Sequence, residues 1–130
     1  MIDLTDKYKK ISDERGFIQD LAIETEIKAV THIFSRANSV RANHFHKYTE
    51  QYNYVAHGSL QLATRKDHSS SIELSLFKSN SFFLIEREEH HALKFCEDTL
   101  LIVFTIGPRA GKEYESDTYR LDQSLFDLIK

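Results

Sequence analysis

Apolar and polar residues alternate along this chain in short bursts, and turn-forming residues separate the bursts. Lys28 to Ser35 is rich in β-branched and aromatic residues, and Asn43 to Lys47 alternates around two histidines. Tyr52 to Ala56 runs into His57-Gly58, a pair that predicts a hairpin turn. Leu60, Leu62 and Thr64 alternate with polar neighbours, and Lys66 to Ser71 reads as a polar loop. Ile72, Leu74 and Leu76 then alternate against Glu73 and Ser75, which predicts a strand with one apolar face. Phe82 to Ile85 is a short apolar run, and Leu93 and Phe95 alternate again. Leu100 to Ile106 is continuously apolar, as in a strand buried on both faces. Many short strands with little helix between them predict an all-β sandwich or barrel. The one helix signal comes late: Asp122 as a cap, with Leu125, Phe126, Leu128 and Ile129 on one apolar face. Gly107-Pro108 ends the strand pattern, so Arg109 to Arg120 is predicted to be a surface extension.

Composition narrows the classes. A chain of 130 residues without linker or repeat predicts a single domain over 1–130, large enough for a core. A net charge of −3 gives no global basic field, which argues against nucleic acid as a partner. No apolar run approaches the roughly 20 residues of a membrane span, so no membrane partner is expected. Met1 to Lys10 is charged and lacks the apolar centre of a signal peptide. The single cysteine, Cys96, cannot form an internal disulfide. This fits a reducing compartment, and the predicted localisation is cytoplasmic. Its place in a β-pattern predicts a small core residue.

The candidate chemistry sits in Arg41-Ala42-Asn43-His44-Phe45-His46-Lys47-Tyr48-Thr49-Glu50-Gln51. His44 and His46 lie one residue apart, so a strand aims both imidazoles at one side. Such a pair either binds a divalent metal through neutral ring nitrogens or moves protons near neutral pH. A third imidazole is available at His90 or His91, and a fourth group at Glu50 or Gln51. His57 before the turn glycine and His68 in the polar loop are read as solvated.

His44-x-His46, then Gln51 and Gly58, resembles the first motif of the cupin superfamily, with His90 or His91 as the second-motif histidine. Metal-binding cupins carry glutamate where the count back from Gly58 finds Gln51, although a one-residue shift would bring Glu50 inward. Glutamine is the weaker ligand. The His-x-His-Lys pattern with a downstream glutamine is similar to the nucleotide-sugar 3,4-ketoisomerases (FdtA/WxcM-like cupins). Asp13-Glu14-Arg15-Gly16, Ile27 to Ser35, Arg41 to Lys47 and Tyr114 to Arg120 match that family in order. The C-terminal stretch is also similar to the cupin domain of capsule-sugar reductase/epimerases, which carries zinc.

The resemblance implies a double-stranded β-helix (a jelly-roll barrel), here with a short C-terminal helix, and a homodimer. It implies isomerase or epimerase activity on a nucleotide-linked 4-keto-6-deoxyhexose, in deoxysugar or surface-polysaccharide biosynthesis, with no cofactor. His44 and His46 would be the acid/base residues. Arg41 and Gln51 would stabilise the enediol oxygen, and Tyr54, His32 and His90 would contact substrate. The family's arginine and tyrosines on the second strand are Ala29, Thr31 and His32 here, and the glycine after its arginine is Ala42. Two alternatives remain at this point. One is a metal-dependent cupin holding zinc, iron, manganese or nickel through His44, His46, Gln51 or Glu50, and His90 or His91. The other is a silent cupin that binds a sugar or another small molecule.

Overall fold

A computed structural model describes residues 1–108 and 111–129, which form twelve strands and one helix. The strands are β1 (Ile2–Asp3), β2 (Lys10–Asp13), β3 (Gly16–Gln19), β4 (Ala29–Ser35), β5 (Val40–Phe45) and β6 (Glu50–His57). They continue as β7 (Ser59–Arg65), β8 (Glu73–Lys78), β9 (Phe82–Ile85), β10 (His90–Phe95) and β11 (Thr99–Ile106). Helix α1 (Gly111–Ser116) and strand β12 (Tyr119–Arg120) follow. One five-stranded antiparallel sheet has the order β1-β9-β6-β11-β4, and the other β12-β5-β10-β7-β8. β2 and β3 form a separate hairpin.

Inward residues of both sheets make the core. Val55, Phe83, Ile85, Leu101 and Val103 come from the first sheet, and Leu60, Leu62, Phe77, Leu93 and Phe95 from the second. Phe77 and Phe83 stack across it with centroids 4.2 Å apart. A smaller core lies on the outer side of the second sheet. There Ala63 and Ala92 leave room for Leu125, against which Ile72, Leu121, Phe126 and Ile129 pack.

The strand pattern holds, with informative departures. Residues 121–129 form turns rather than the expected helix. Two of their backbone donors are spent on Asn43 of β5, as Leu121 N–H donates to the Asn43 carbonyl and Leu125 N–H to Asn43 Oδ1. The helix falls instead at α1, within the expected extension, whose first residues Arg109 and Ala110 lie outside the described residues. Leu74 and Leu76 are 48% and 57% exposed, because Phe77 takes the inward position and alternation turns them out. Only one face of β11 is fully buried, through Leu101, Val103 and Thr105. Cys96 is exposed, since Phe95 takes the inward place beside it. His57 and His68 are exposed as expected.

His57-Gly58 makes a corner between the sheets, not a hairpin, because β6 and β7 belong to different sheets. Gly58 has φ +104, and a Cβ there would overlap the Thr99 hydroxyl and meet the Asp98 carbonyl oxygen at 2.7 Å. Gly58→Ala is therefore expected to cost about 1–3 kcal/mol. A urea melt checks this, and an unchanged midpoint contradicts it.

Candidate functional site

The backbone first decides what β5 can present. Antiparallel pairing sets His91 opposite His44 and Ala92 opposite Ala42, so Asn43 is an extra, bulged residue. Ala42 and Asn43 have φ of +67° and +59°. Asparagine tolerates this region, whereas alanine is strained there. The Ala42 methyl packs against the main core, and the Asn43 side chain is gripped by the tail. Asn43 Nδ2 donates to the Gln123 carbonyl at 3.2 Å.

The bulge delivers three imidazoles to one place. Ring centroids are 4.6 Å apart for His44 and His46, 4.7 Å for His44 and His91, and 5.6 Å for His46 and His91. One ring nitrogen from each lies within 4.8 Å of the others. His46 and His91 are 2% and 1% exposed. His46 Nδ1 lies 2.9 Å from the Asp117 carbonyl oxygen, and His91 Nδ1 2.9 Å from that of Glu89. A carbonyl only accepts, so both rings carry a proton on Nδ1.

Burial lowers the His44 pKa to about 2, with His91, His46 and Arg120 acting in the same direction. Burial also lowers His91 to about 3, against a smaller upward pull from the Glu89 carbonyl. Both rings are therefore neutral at pH 7.

His44 and His91 line a cavity of about 220 Å³ with Arg41, Gln51, Asn53 and Tyr114. Arg41 is held at its edge, where Nε donates to Ser35 Oγ at 2.7 Å and an Nη to the Phe34 carbonyl at 3.2 Å. Gln51 and Asn53 share a face of β6; Asn53 is not among the residues expected from the sequence, and strand parity with Gln51 is the signal that finds it. Tyr114 comes from α1, with its ring 5.3 Å from that of His46. Its sole sequence signal was the family-like C-terminal segment.

The remaining expected residues lie elsewhere. His32 is exposed on the outer face of β4, whereas Ile33 points into the cavity. Tyr54 lies on the opposite face of β6 from Gln51 and donates to Asn80 Oδ1 at 3.0 Å. Glu50 also faces away and pairs with Arg87 at 3.6 Å. Consecutive residues point to opposite faces, so His90 leaves the cluster that His91 joins. His90 stacks on Phe45 at 4.7 Å, accepts from Arg65 Nε at 3.0 Å, and lines a separate cavity of about 710 Å³. Burial, then Arg65, lowers its pKa.

No protein-family model matches the chain, and no curated protein matches it by sequence. Solved structures do match it in fold. The TDP-quinovose 3,4-ketoisomerase WlaRB from Campylobacter jejuni superposes with a TM-score of 0.75 at 21% identity, covering 92% of this chain and 93% of that one. The sugar 3,4-ketoisomerase QdtA from Thermoanaerobacterium thermosaccharolyticum, solved with TDP, gives 0.74 at 19% identity, covering 98% and 90%. The dTDP-4-dehydrorhamnose 3,5-epimerase from Sulfolobus tokodaii gives 0.73 at 16% identity, covering 89% and 74%. The chain thus has the cupin-type jelly-roll fold that the sequence motifs implied.

The buried imidazoles predict a pH-dependent stability. The unfolded chain protonates both near 6.5, while the folded chain resists until about 3 for His91 and about 2 for His44. Unfolding therefore takes up protons below pH 6.5, and stability falls as pH falls through that window. The slope is up to about 1.4 kcal/mol per pH unit for each ring. Thermal melts of chelator-treated protein between pH 7 and 5 are expected to show a shallower fall for His44→Asn than for wild type. Equal slopes would contradict this origin.

Proposed function

We propose that this protein is a cytoplasmic isomerase or epimerase acting on a nucleotide-linked 4-keto-6-deoxyhexose, by proton transfer beside the ketone. The observation that carries the reading is the convergence of His44, His46 and His91 with Arg41, Gln51 and Tyr114 on this fold. The ketoisomerase and epimerase likenesses over most of the chain supply the substrate class.

The chemistry balances with these groups alone. A neutral imidazole of the His44–His46 pair removes the proton from C3, and the C–H electrons form the C3=C4 bond of an enediolate. Negative charge collects on the former ketone oxygen, where Arg41 and Gln51 donate to it. The hydroxyl proton passes from O3 to O4, an imidazolium returns a proton to C4, and the ketone now stands at C3. Tyr114 is the phenol available for the oxygen-to-oxygen transfer. Burial makes His44 a poor proton acceptor, but an enediolate beside the ring favours the imidazolium and offsets that cost.

His44→Asn is expected to lower turnover of a dTDP- or UDP-4-keto sugar by at least about 100-fold, read by NMR. Unchanged turnover would sink the mechanism.

A metal-dependent reaction is the second reading, favoured by the three-imidazole cluster itself. Imidazole donors with their second N–H on a carbonyl suit zinc, iron, manganese or nickel. The ligands would be His44, His46 and His91, with Gln51 at hand, and the ion would polarise the sugar ketone. Tetrahedral zinc sets its nitrogens about 3.4 Å apart, so rings now spread over as much as 4.8 Å would have to close in. Elemental analysis of untagged protein separates the readings: stoichiometric metal whose removal abolishes turnover favours the ion, and full activity without it favours histidine alone.

We further propose a homodimer. The β2–β3 hairpin exposes Ile11, Phe17 and Ile18, at 63%, 48% and 70%. β4, a free edge of the first sheet, exposes Val30 and Phe34 on its outer face. A second copy of the chain covers both by two-fold symmetry. Light scattering is expected to give twice the chain mass, and Phe17→Lys with Ile18→Lys the monomer mass. A monomeric wild type would overturn this assignment.

A further inference from the structure

Asp117 is an unusual residue to bury. It is 3% exposed, and among the described residues no cation pairs with it. A buried carboxylate is costly unless hydrogen bonds replace its water. Here four contacts from three residues do so. Lys47 N–H donates to Oδ1 at 3.0 Å, and Tyr48 N–H lies 3.2 Å from Oδ1 and 3.1 Å from Oδ2. The Thr49 hydroxyl donates to Oδ2 at 2.7 Å. All three donors lie in the turn that carries the chain from His46 to β6. The main-chain carbonyl of the same aspartate accepts from His46 Nδ1 at 2.9 Å.

The carboxylate thus fixes its own carbonyl against the ring. We propose that Asp117 is the positioning residue of His46: its side chain clamps the Lys47–Thr49 turn so that its carbonyl holds His46 as the Nδ1–H tautomer, with the Nε2 lone pair kept for the cluster. A histidine side chain in water prefers its proton on Nε2, the nitrogen that must stay basic here. The clamp reverses that preference without touching substrate. Asp117 directly follows α1, which places Tyr114 in the cavity lined by His44 and His91 and its ring 5.3 Å from that of His46, so one short segment supplies a wall of the site and the orientation of His46.

The catalytic part of this inference rests on the proposed keto-sugar reaction, and the tautomer part does not. The test is Asp117→Asn, whose amide cannot accept the full set of donors. Long-range 1H–15N spectra, with the His46 ring assigned by its loss in His46→Asn, are expected to show Nδ1–H in wild type. In Asp117→Asn that state is lost while circular dichroism remains that of wild type. With TDP-4-keto-6-deoxyglucose, kcat is expected to fall roughly 10- to 100-fold while KM moves less than about threefold. A buried aspartate that merely stabilised the fold would leave the tautomer untouched, and retention of Nδ1–H in Asp117→Asn overturns the proposal. If wild type does not turn over the sugar but the tautomer still switches, the function reading fails and the positioning role stands. Should Asp117→Asn not fold, Thr49→Val removes the 2.7 Å bond at nearly constant volume, and Thr49→Ser restores the hydroxyl. Loss of the Nδ1–H state in the valine variant alone supports the clamp, and identical spectra for the two overturn it.

Discussion

The registration of β5 against β10 is the constraint on which the site depends. Pairing His44 with His91 brings imidazoles from two motifs, separated by the whole of β6 to β9, to one side of the sheet. One residue of slip would replace His91 by His90 and turn the cluster into a surface feature. The register is held from both sides. Toward the core, Leu93 and Phe95 bury their side chains. Toward the outside, the tail hydrogen-bonds around Asn43 and packs Leu125 on Ala63 and Ala92.

The bulge at Ala42 and Asn43 shows how local strain serves that arrangement. A regular strand would have kept strict alternation from Arg41 onwards. The extra residue lets Arg41, Ala42 and His44 all border one cavity. Alanine at φ +67 is an awkward occupant, but its methyl is used in the core, so strain and packing oppose each other at one residue. The C-terminal segment then does on the far side of His46 what the bulge does before His44. Two flanking devices hold the imidazole pair, and neither belongs to the histidine motif.

Electrostatics and packing act together within the cavity. Water exclusion keeps His44 and His91 neutral and makes hydrogen-bond geometry decide which nitrogen is basic. Arg41 lies at the edge with its guanidinium tied to Ser35 and the Phe34 carbonyl, so a cation is available without being buried. No helix among the described residues is long and apolar enough to cross a membrane.

The sequence by itself determined the strand succession, the all-β class and the pairing of His44 with His46, because alternation is a local property of the chain. It also determined Arg41 and Gln51 as neighbours of that pair, through motif spacing. Local pattern left His90 and His91 equivalent, and only cross-strand register chose His91. The family resemblance made Tyr54 and His32 candidates, but their parity relative to Gln51 and Ile33 turns them outward. The expected helix after Asp122 gave way to turns, since Asn43 captures the tail's backbone groups. Asp117 and Tyr114 lie some seventy residues beyond the histidine motif, and their part in the site followed from the closing of the tail over β5. No sequence period records such a contact, because it is made by two distant segments that satisfy each other's buried polar groups.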